Sequence, residues 1–307
     1  MVTILALAAA ALYGTADFLG GVASRRASVF TVLALTVPAG AVVMVVVALL
    51  GGILGAGVLG TPASVGDWSA AAWAVGSGVC GAFGLVAFYA GFATAPISVV
   101  APVAALVSAV LPVGVGIVQG ERPGDGVIAG GLVCLIAIVL VSAQPAAQGT
   151  PQGGEKGEES HGDGRMVASG RLLALGYGVA AGAGFGLFFI FLKNAGQSGV
   201  LWPVAISRSA GTVVAFGIVL VTRARLWPRR GAGVAGIALV SGAIDAAANV
   251  CYVLATRAGL FGLAVVITSL YPGVTVLLAR LLLGERMRWL QRAGLLLAAV
   301  GVVLVTA

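Results

Sequence analysis

The chain has 307 residues, of which 60% are hydrophobic and 9% charged, with a mean hydropathy of +1.11 and a formal net charge of +7. This composition excludes an ordinary water-soluble domain and makes lipid the solvent. It also argues against nucleic acid binding, because the basic residues sit in short segments between apolar runs, where lipid headgroups and topology account for them.

A spanning helix needs about 20 apolar residues. On that ruler the first half predicts five, at Thr3 to Ala23, Val29 to Gly51, Ser69 to Gly91, Ile97 to Gln119 and Gly126 to Ala143. The first run lacks a basic leader and carries Asp17, so it belongs to the mature fold and is not read as a signal peptide. Gln144 to Gly170 is different: Pro, Gly, Gln, Ser and charges dominate it, and no aliphatic run offsets its ordering entropy. It reads as a flexible cytoplasmic linker between residues 1–143 and residues 171–307. The second half predicts helices at Leu172 to Leu192, Val200 to Val221, Val234 to Thr256, Leu260 to Leu283 and Leu290 to Val305.

Shifting the second half back by 164 positions lays it on the first. Tyr13-Gly14 falls on Tyr177-Gly178, Gly20 on Gly184, Ser77-Gly78 on Ser241-Gly242, and Gly120-Glu121-Arg122 on Gly284-Glu285-Arg286. Ala129-Gly130, Leu132 and Leu140 continue the last match without a gap onto Ala293-Gly294, Leu296 and Leu304. Single identities are cheap in so Ala- and Gly-rich a chain, but a charged tripeptide followed by a matched helix is not, and the chain reads as two copies of one unit. The second and seventh helices do not match in this register. Five spans per copy is an odd number, so the second copy enters the membrane inverted. The expected fold is an all-α polytopic membrane protein of ten transmembrane helices in two inverted five-helix repeats.

Lys and Arg set the orientation. The side reached after the first helix holds Arg25, Arg26, Lys156, Arg165, Arg171, Arg223, Arg225, Arg229, Arg230, Arg286, Arg288 and Arg292, against Arg122, Lys193 and Arg257 on the other. That asymmetry places the linker in the cytoplasm and both termini outside.

The five-helix tandem repeat, Tyr13-Gly14 in the first helix and Gly-Glu-Arg closing the fourth and ninth helices resemble the EamA-like transporters of the drug/metabolite transporter superfamily. The resemblance covers the whole chain except the linker. It implies a secondary carrier of the plasma (inner) membrane that exports a small organic metabolite such as an amino acid by alternating access, with protons as a candidate coupling ion. Efflux of lipophilic drugs, a passive channel and a lipid-phosphate carrier are the alternatives. It also implies a central path walled by the first, third, fourth, sixth, eighth and ninth helices. Family members usually keep both termini in the cytoplasm, opposite to the charge count, so the orientation stays open.

Asp17 lies on one face of the first helix with Tyr13, Gly20 and Ser24, and Asp245 lies on one face of the eighth with Ser241, Asn249, Tyr252 and Thr256. A carboxylate at helix centre costs about 2.5 to 3.5 kcal/mol on insertion scales, so Asp245, near mid-depth, is expected to face protein or a watery path, while Asp17 lies nearer the cytoplasmic end. Either contact with a solute or a relayed proton, or a helix–helix hydrogen bond, would account for them. Their positions in the other repeat are Ala181 and Gly81, so the shared fold does not require acids there. Arg208, about 12 Å into the seventh helix at 1.5 Å per residue, is expected to snorkel to the outer surface, with pairing to Asp245 as the alternative. Lys193, Arg257 and Arg280 lie near helix ends and are also expected to snorkel; Glu121 and Glu285 are read as interfacial termini with local ion pairs.

Pro96, Pro102 and Pro112 are expected to break the fourth helix and Pro272 the ninth, freeing carbonyls for a cavity wall. Phe83, Phe88 and Tyr89, then Phe185, Phe188 and Phe189, then Tyr252 and Tyr271 supply aromatic surface, with Phe88, Phe185, Tyr252 and Tyr271 joining the binding candidates.

No enzyme is expected: Gly242-Ala243-Ile244-Asp245 lacks the second glycine of the GxGD pattern of intramembrane aspartyl proteases, and Asp17 lacks the tyrosine neighbour. Cys80, Cys134 and Cys251 lie in apolar runs without ligand spacing, and the single His161 lies in the linker, so no metal and no cofactor are expected. The expected partners are a small-molecule substrate and the bilayer, with the chain as monomer or homodimer.

Overall fold

An apolar chain in lipid must close its backbone hydrogen bonds within each segment, and every regular element among the described residues is helical. The computed structural model describes residues 1–53, 68–94, 97–142, 163–223, 232–284 and 288–306. In chain order the helices are α1 (Val2–Ser24), α2 (Val29–Ile53), α3 (Trp68–Thr94), α4 (Ile97–Val118), α5 (Asp125–Ser142) and α6 (Asp163–Ala195). They continue with α7 (Leu201–Thr222), α8 (Ala232–Arg257), α9 (Phe261–Thr268), α10 (Tyr271–Leu283) and α11 (Trp289–Thr306). Seven stretches among the described residues are long and apolar enough to cross a membrane, in α1, α2, α3, α6, α7, α8 and α9 with α10. Shorter apolar segments lie in α4, α5 and α11. The chain is a multi-pass membrane protein.

Two expectations are corrected, and the break expected in the ninth helix is found just before its proline. Pro102 and Pro112 do not break the fourth helix, because α4 runs from Ile97 to Val118 through both positions. Each proline removes one N–H, which a membrane helix tolerates where neighbouring groups or local adjustment satisfy the freed carbonyl. The ninth helix is divided at Ser269 and Leu270, and Pro272 stands in the first turn of α10, where a missing N–H leaves no hydrogen bond unmade. Residues 163–170, read as linker, are the first turns of α6. Pro96, His161, Glu285 and most of the linker lie outside the described residues.

The packing inverts the rule of soluble proteins. Ala6, Ala9, Ala48, Ala74, Ala137 and Ala181 are fully buried, while Leu220, Val213, Leu281 and Leu296 stand outward. Lipid solvates large aliphatic groups as well as protein does, so small residues that let backbones approach hold the helices together. The main cluster joins Tyr13 of α1, Met44 of α2, Phe189 of α6, Val204 of α7, Tyr252 of α8 and Phe261 of α9.

Helix pairing runs in matched sets. α1 packs on α8 and α3 on α6; α2 meets α8 and α3 meets α7; α4 lies on α6, and α1 on α9 and α10; α2 lies on α7, and α5 on α11. Exchanging the two halves turns this set into itself. The Ser-Gly steps matched in sequence play matched parts. The Ser77 hydroxyl donates to the Phe188 carbonyl at 3.0 Å, and the Ser241 hydroxyl to the Ala16 carbonyl at 2.8 Å. Gly78 lies against the α7 backbone at Ser207 and Gly242 against the α2 backbone at Thr36, neither with room for a side chain.

Candidate functional site

Asp245 stands midway along α8 and Arg208 in the third turn of α7, and the two form an ion pair inside the helical bundle. Arg208 Nη2 also donates to the Asp245 backbone carbonyl at 3.4 Å, and the Asn249 side-chain amide donates to the same carbonyl at 2.6 Å. The snorkelling expected of Arg208 is thereby overturned. A guanidinium in low dielectric lowers its energy more by meeting a carboxylate one helix away than by bending about 12 Å to the surface. Asn249 is buried and braces the helix at Asp245 through the backbone.

Asp17 reaches the same place from α1. The bond from Ser241 to Ala16, one residue before Asp17, ties α1 to α8 one turn from Asp245. Asp17 and Asp245 lie within electrostatic reach of each other, and Tyr271, at the start of α10, lies within reach of Asp17. Protein surrounds Asp17 on many sides, yet its surface is exposed, and the Asp245 side chain is 27% exposed. Both acids therefore keep access to the surface of the helical bundle. Among the described residues no cationic side chain pairs with Asp17.

Tyr13 stands one turn from Asp17, within electrostatic reach of Asp245 and Arg208. Its ring lies 6.2 Å from that of Tyr271 and 6.2 Å from that of Phe189, edge-on to the latter. Tyr13 is buried and its hydroxyl has no partner. The hydroxyls of Thr268 and Ser269, at the break between α9 and α10, are also buried without partners. Tyr252, fully buried, holds its ring 4.8 Å from that of Phe189 at a tilt of 49° and donates its hydroxyl to the Phe189 carbonyl at 2.9 Å, so its polar end is occupied by α6. Phe189 is thus the aromatic hub between Tyr13 and Tyr252.

Phe88 and Phe185 do not join this group. Their rings meet edge to face at 5.9 Å where α3 packs on α6, in an apolar cluster with Ala87, Ala104 and Ala181. That contact corresponds to α8 on α1. Where one side carries Asp17 and Asp245, the other has buried Ala181, and Gly81 against the ring of Phe188. Phe83 faces outward.

Two further residues take roles that sequence reasoning missed. The Glu121 carboxylate accepts the backbone N–H groups of Phe261 and Gly262, the second at 2.9 Å, and so caps α9 in place of pairing locally. Lys193 does not simply snorkel: its Nζ donates to Gln119 Oε1 at 2.7 Å and lies 5.0 Å from the centre of the Phe261 ring. The signal was available in part, since a helix N-terminus attracts a carboxylate. Among the described residues no group of three or more His, Cys, Asp or Glu could hold a metal ion.

Comparisons with known proteins bear on the fold and on the second half. A solved structure described as "Crystal structure of protein" superposes with a TM-score of 0.73 at 17% identity, over 99% of this chain and 95% of that one. The search of curated proteins finds no match. Residues 172–307 match the model of the EamA-like transporter family.

Proposed function

Residues 172–307 form an EamA-like domain of the drug/metabolite transporter superfamily, and on that premise we propose that the protein is a secondary active transporter. In this reading residues 1–143 and 171–307 are two inverted five-helix repeats in the plasma membrane, rocking around a site near mid-depth to export a small organic molecule. It is a carrier and not an enzyme. The observation that carries the reading is the charged cluster of Asp17, Asp245 and Arg208, assembled from α1 of the first half and α7 and α8 of the second. Intramembrane charges are expensive, and where they face the interior they mark solute and ion pathways. The divided α9 and α10 support it too, because discontinuous helices at the repeat interface are a recurring feature of secondary carriers.

Asp245 and Asp17 supply carboxylates that can take and release a proton as the site opens to either side, so we assign coupling to them. Purified protein in proteoliposomes, offered a metabolite panel with and without a proton gradient, tests this. Accumulation of at least one solute against its own gradient, abolished by a protonophore and by Asp245→Asn, is expected. Absence of any solute flux above empty vesicles would sink the carrier reading, and accumulation indifferent to both treatments would sink the coupling.

A further inference from the structure

We propose that α9 is a movable gate at the end of the bundle where α1 begins, latched by the Glu121 carboxylate and jointed to α10 at Ser269 and Leu270. The inference names a part that moves, and it rests on the transporter reading for what the movement admits. A Cβ on Gly259, two residues before α9, would run into Val2, which sets this end beside the start of α1. The first ground is the latch. A helix needs partners for its first amide groups, and Leu260, at the N-cap of α9, has no side-chain oxygen to offer. The partner comes from the other half: the two oxygens of Glu121 accept the N–H groups of Phe261 and Gly262. Space is kept for it, because a Cβ on Gly116 or Gly262 would meet Glu121 Oε2 at 2.5 or 3.3 Å. Lys193 of α6 adds a second tie between the halves, donating to Gln119 Oε1 at 2.7 Å while its charge lies over the Phe261 ring.

The second ground is the joint. Shifted by 164 positions, α9 and α10 together fall on α4. That counterpart is one helix from Ile97 to Val118, so the repeat does not demand a division here. At the division the Leu270 N–H donates to the Ile267 carbonyl at 3.1 Å and the Gly273 N–H to the Leu270 carbonyl at 2.9 Å. These are i to i−3 bonds, the tighter pattern that marks a hinge when it interrupts a helix. The hydroxyls of Thr268 and Ser269 are buried there without partners among the described residues, so no side-chain bond stiffens the joint. The third ground is placement. Seven of the eight residues of α9 are buried, and it stands among α1, α4 and α5 of the first half and α8 of the second, whereas α10 packs on α1, α5 and α11. A short plug held at one end by charge-assisted bonds and at the other by a hinge can swing without carrying α10 with it.

Thiol labelling of the purified full chain in detergent tests the proposal, with N-ethylmaleimide as probe in a background without Cys80, Cys134 and Cys251. Val265→Cys reports on α9, and Ala74→Cys, as fully buried in α3, is the control. Glu121→Ala is expected to speed labelling of the α9 reporter at least about tenfold, and Glu121→Gln by a smaller factor, with the control unchanged. Leu260→Ser separates a latch from a mere cap, because a serine there caps α9 from within its own half. Added to Glu121→Gln, it should recover melting temperature and leave labelling fast. The proposal is overturned if neither Glu121 variant speeds labelling of the α9 reporter, if the control accelerates as much, or if Leu260→Ser returns labelling to the parent rate. Solute flux in proteoliposomes keeps the two readings apart. Fast labelling in a protein that carries no solute leaves the moving helix without the transporter, and solute flux with labelling unchanged leaves the transporter without this gate.

Discussion

The Glu121 carboxylate accepts the backbone N–H of Gly262 at 2.9 Å, from 141 positions earlier in the chain. With the second bond to Phe261 it neutralises two of the orphan amides of α9 and sits at the positive end of the helix dipole. Gly120, immediately before it, has a φ of +94°, the left-handed turn that swings the chain out of α4 and aims Glu121 at its target. A link between the two halves is therefore built into one end of the bundle.

Glu121→Ala should lower stability by about 1.5–3 kcal/mol, the range for bonds to a charged partner, and Glu121→Gln by less. Thermal unfolding in detergent measures both. Gly116→Ala should act alike, since its new Cβ would meet Glu121 Oε2 at 2.5 Å. Unchanged melting for all three would show that the cap contributes nothing.

Removing one partner of the Arg208–Asp245 pair should cost more than removing both charges. Breaking a buried pair costs about 3–5 kcal/mol, and the 27% exposure of the Asp245 side chain places this one at or below the lower end. Arg208→Gln should thus be the least stable variant, and adding Asp245→Asn should recover part of the loss. A strictly additive double mutant in a thermal-shift cycle would refute coupling between the two side chains.

The glycine contacts separate cleanly into crowded and open ones. A Cβ on Gly242 would meet the Thr36 carbonyl oxygen at 2.0 Å, whereas one on Gly236 would meet nothing within 4 Å. Gly242→Ala should therefore destabilise α2 against α8 by about 1–3 kcal/mol or more, the cost of overpacking. Gly236→Ala on the same helix should melt like the parent. Equal melting temperatures for the two variants would contradict the close approach of α2 and α8.

The orientation expected from the basic residues is open to direct labelling. Ser28 lies between α1 and α2 and Ala258 follows α8. In a background without Cys80, Cys134 and Cys251, an impermeant thiol reagent added to intact cells should label Ala258→Cys and spare Ser28→Cys. The reverse pattern would place both termini in the cytoplasm.

Sequence alone sufficed for the membrane and the helices because both depend on local composition. An apolar run of the right length has one low-energy answer in lipid, and its backbone bonds lie within the run. The EamA-like character of the second half was legible for the same reason, in motifs that are contiguous. Gly284, matched to Gly120, has a φ of +68°, so the repeated glycine takes a left-handed conformation in both places.

What tertiary structure decided was partnership. Nothing in the sequence distances among Arg208, Asp245 and Asp17 says that the first two pair and the third does not, because the choice depends on how α1, α7 and α8 are rotated about their axes. The same holds for Glu121, whose partners lie across the halves, and for Phe88 and Phe185, which pack α3 on α6 away from the charged cluster. Proline misled in α4 and was informative between α9 and α10, since whether a missing N–H bends a helix or ends it depends on what neighbouring helices offer the freed carbonyls. Local energies select the element; only the close approach of one element to another selects which charged group goes without a partner.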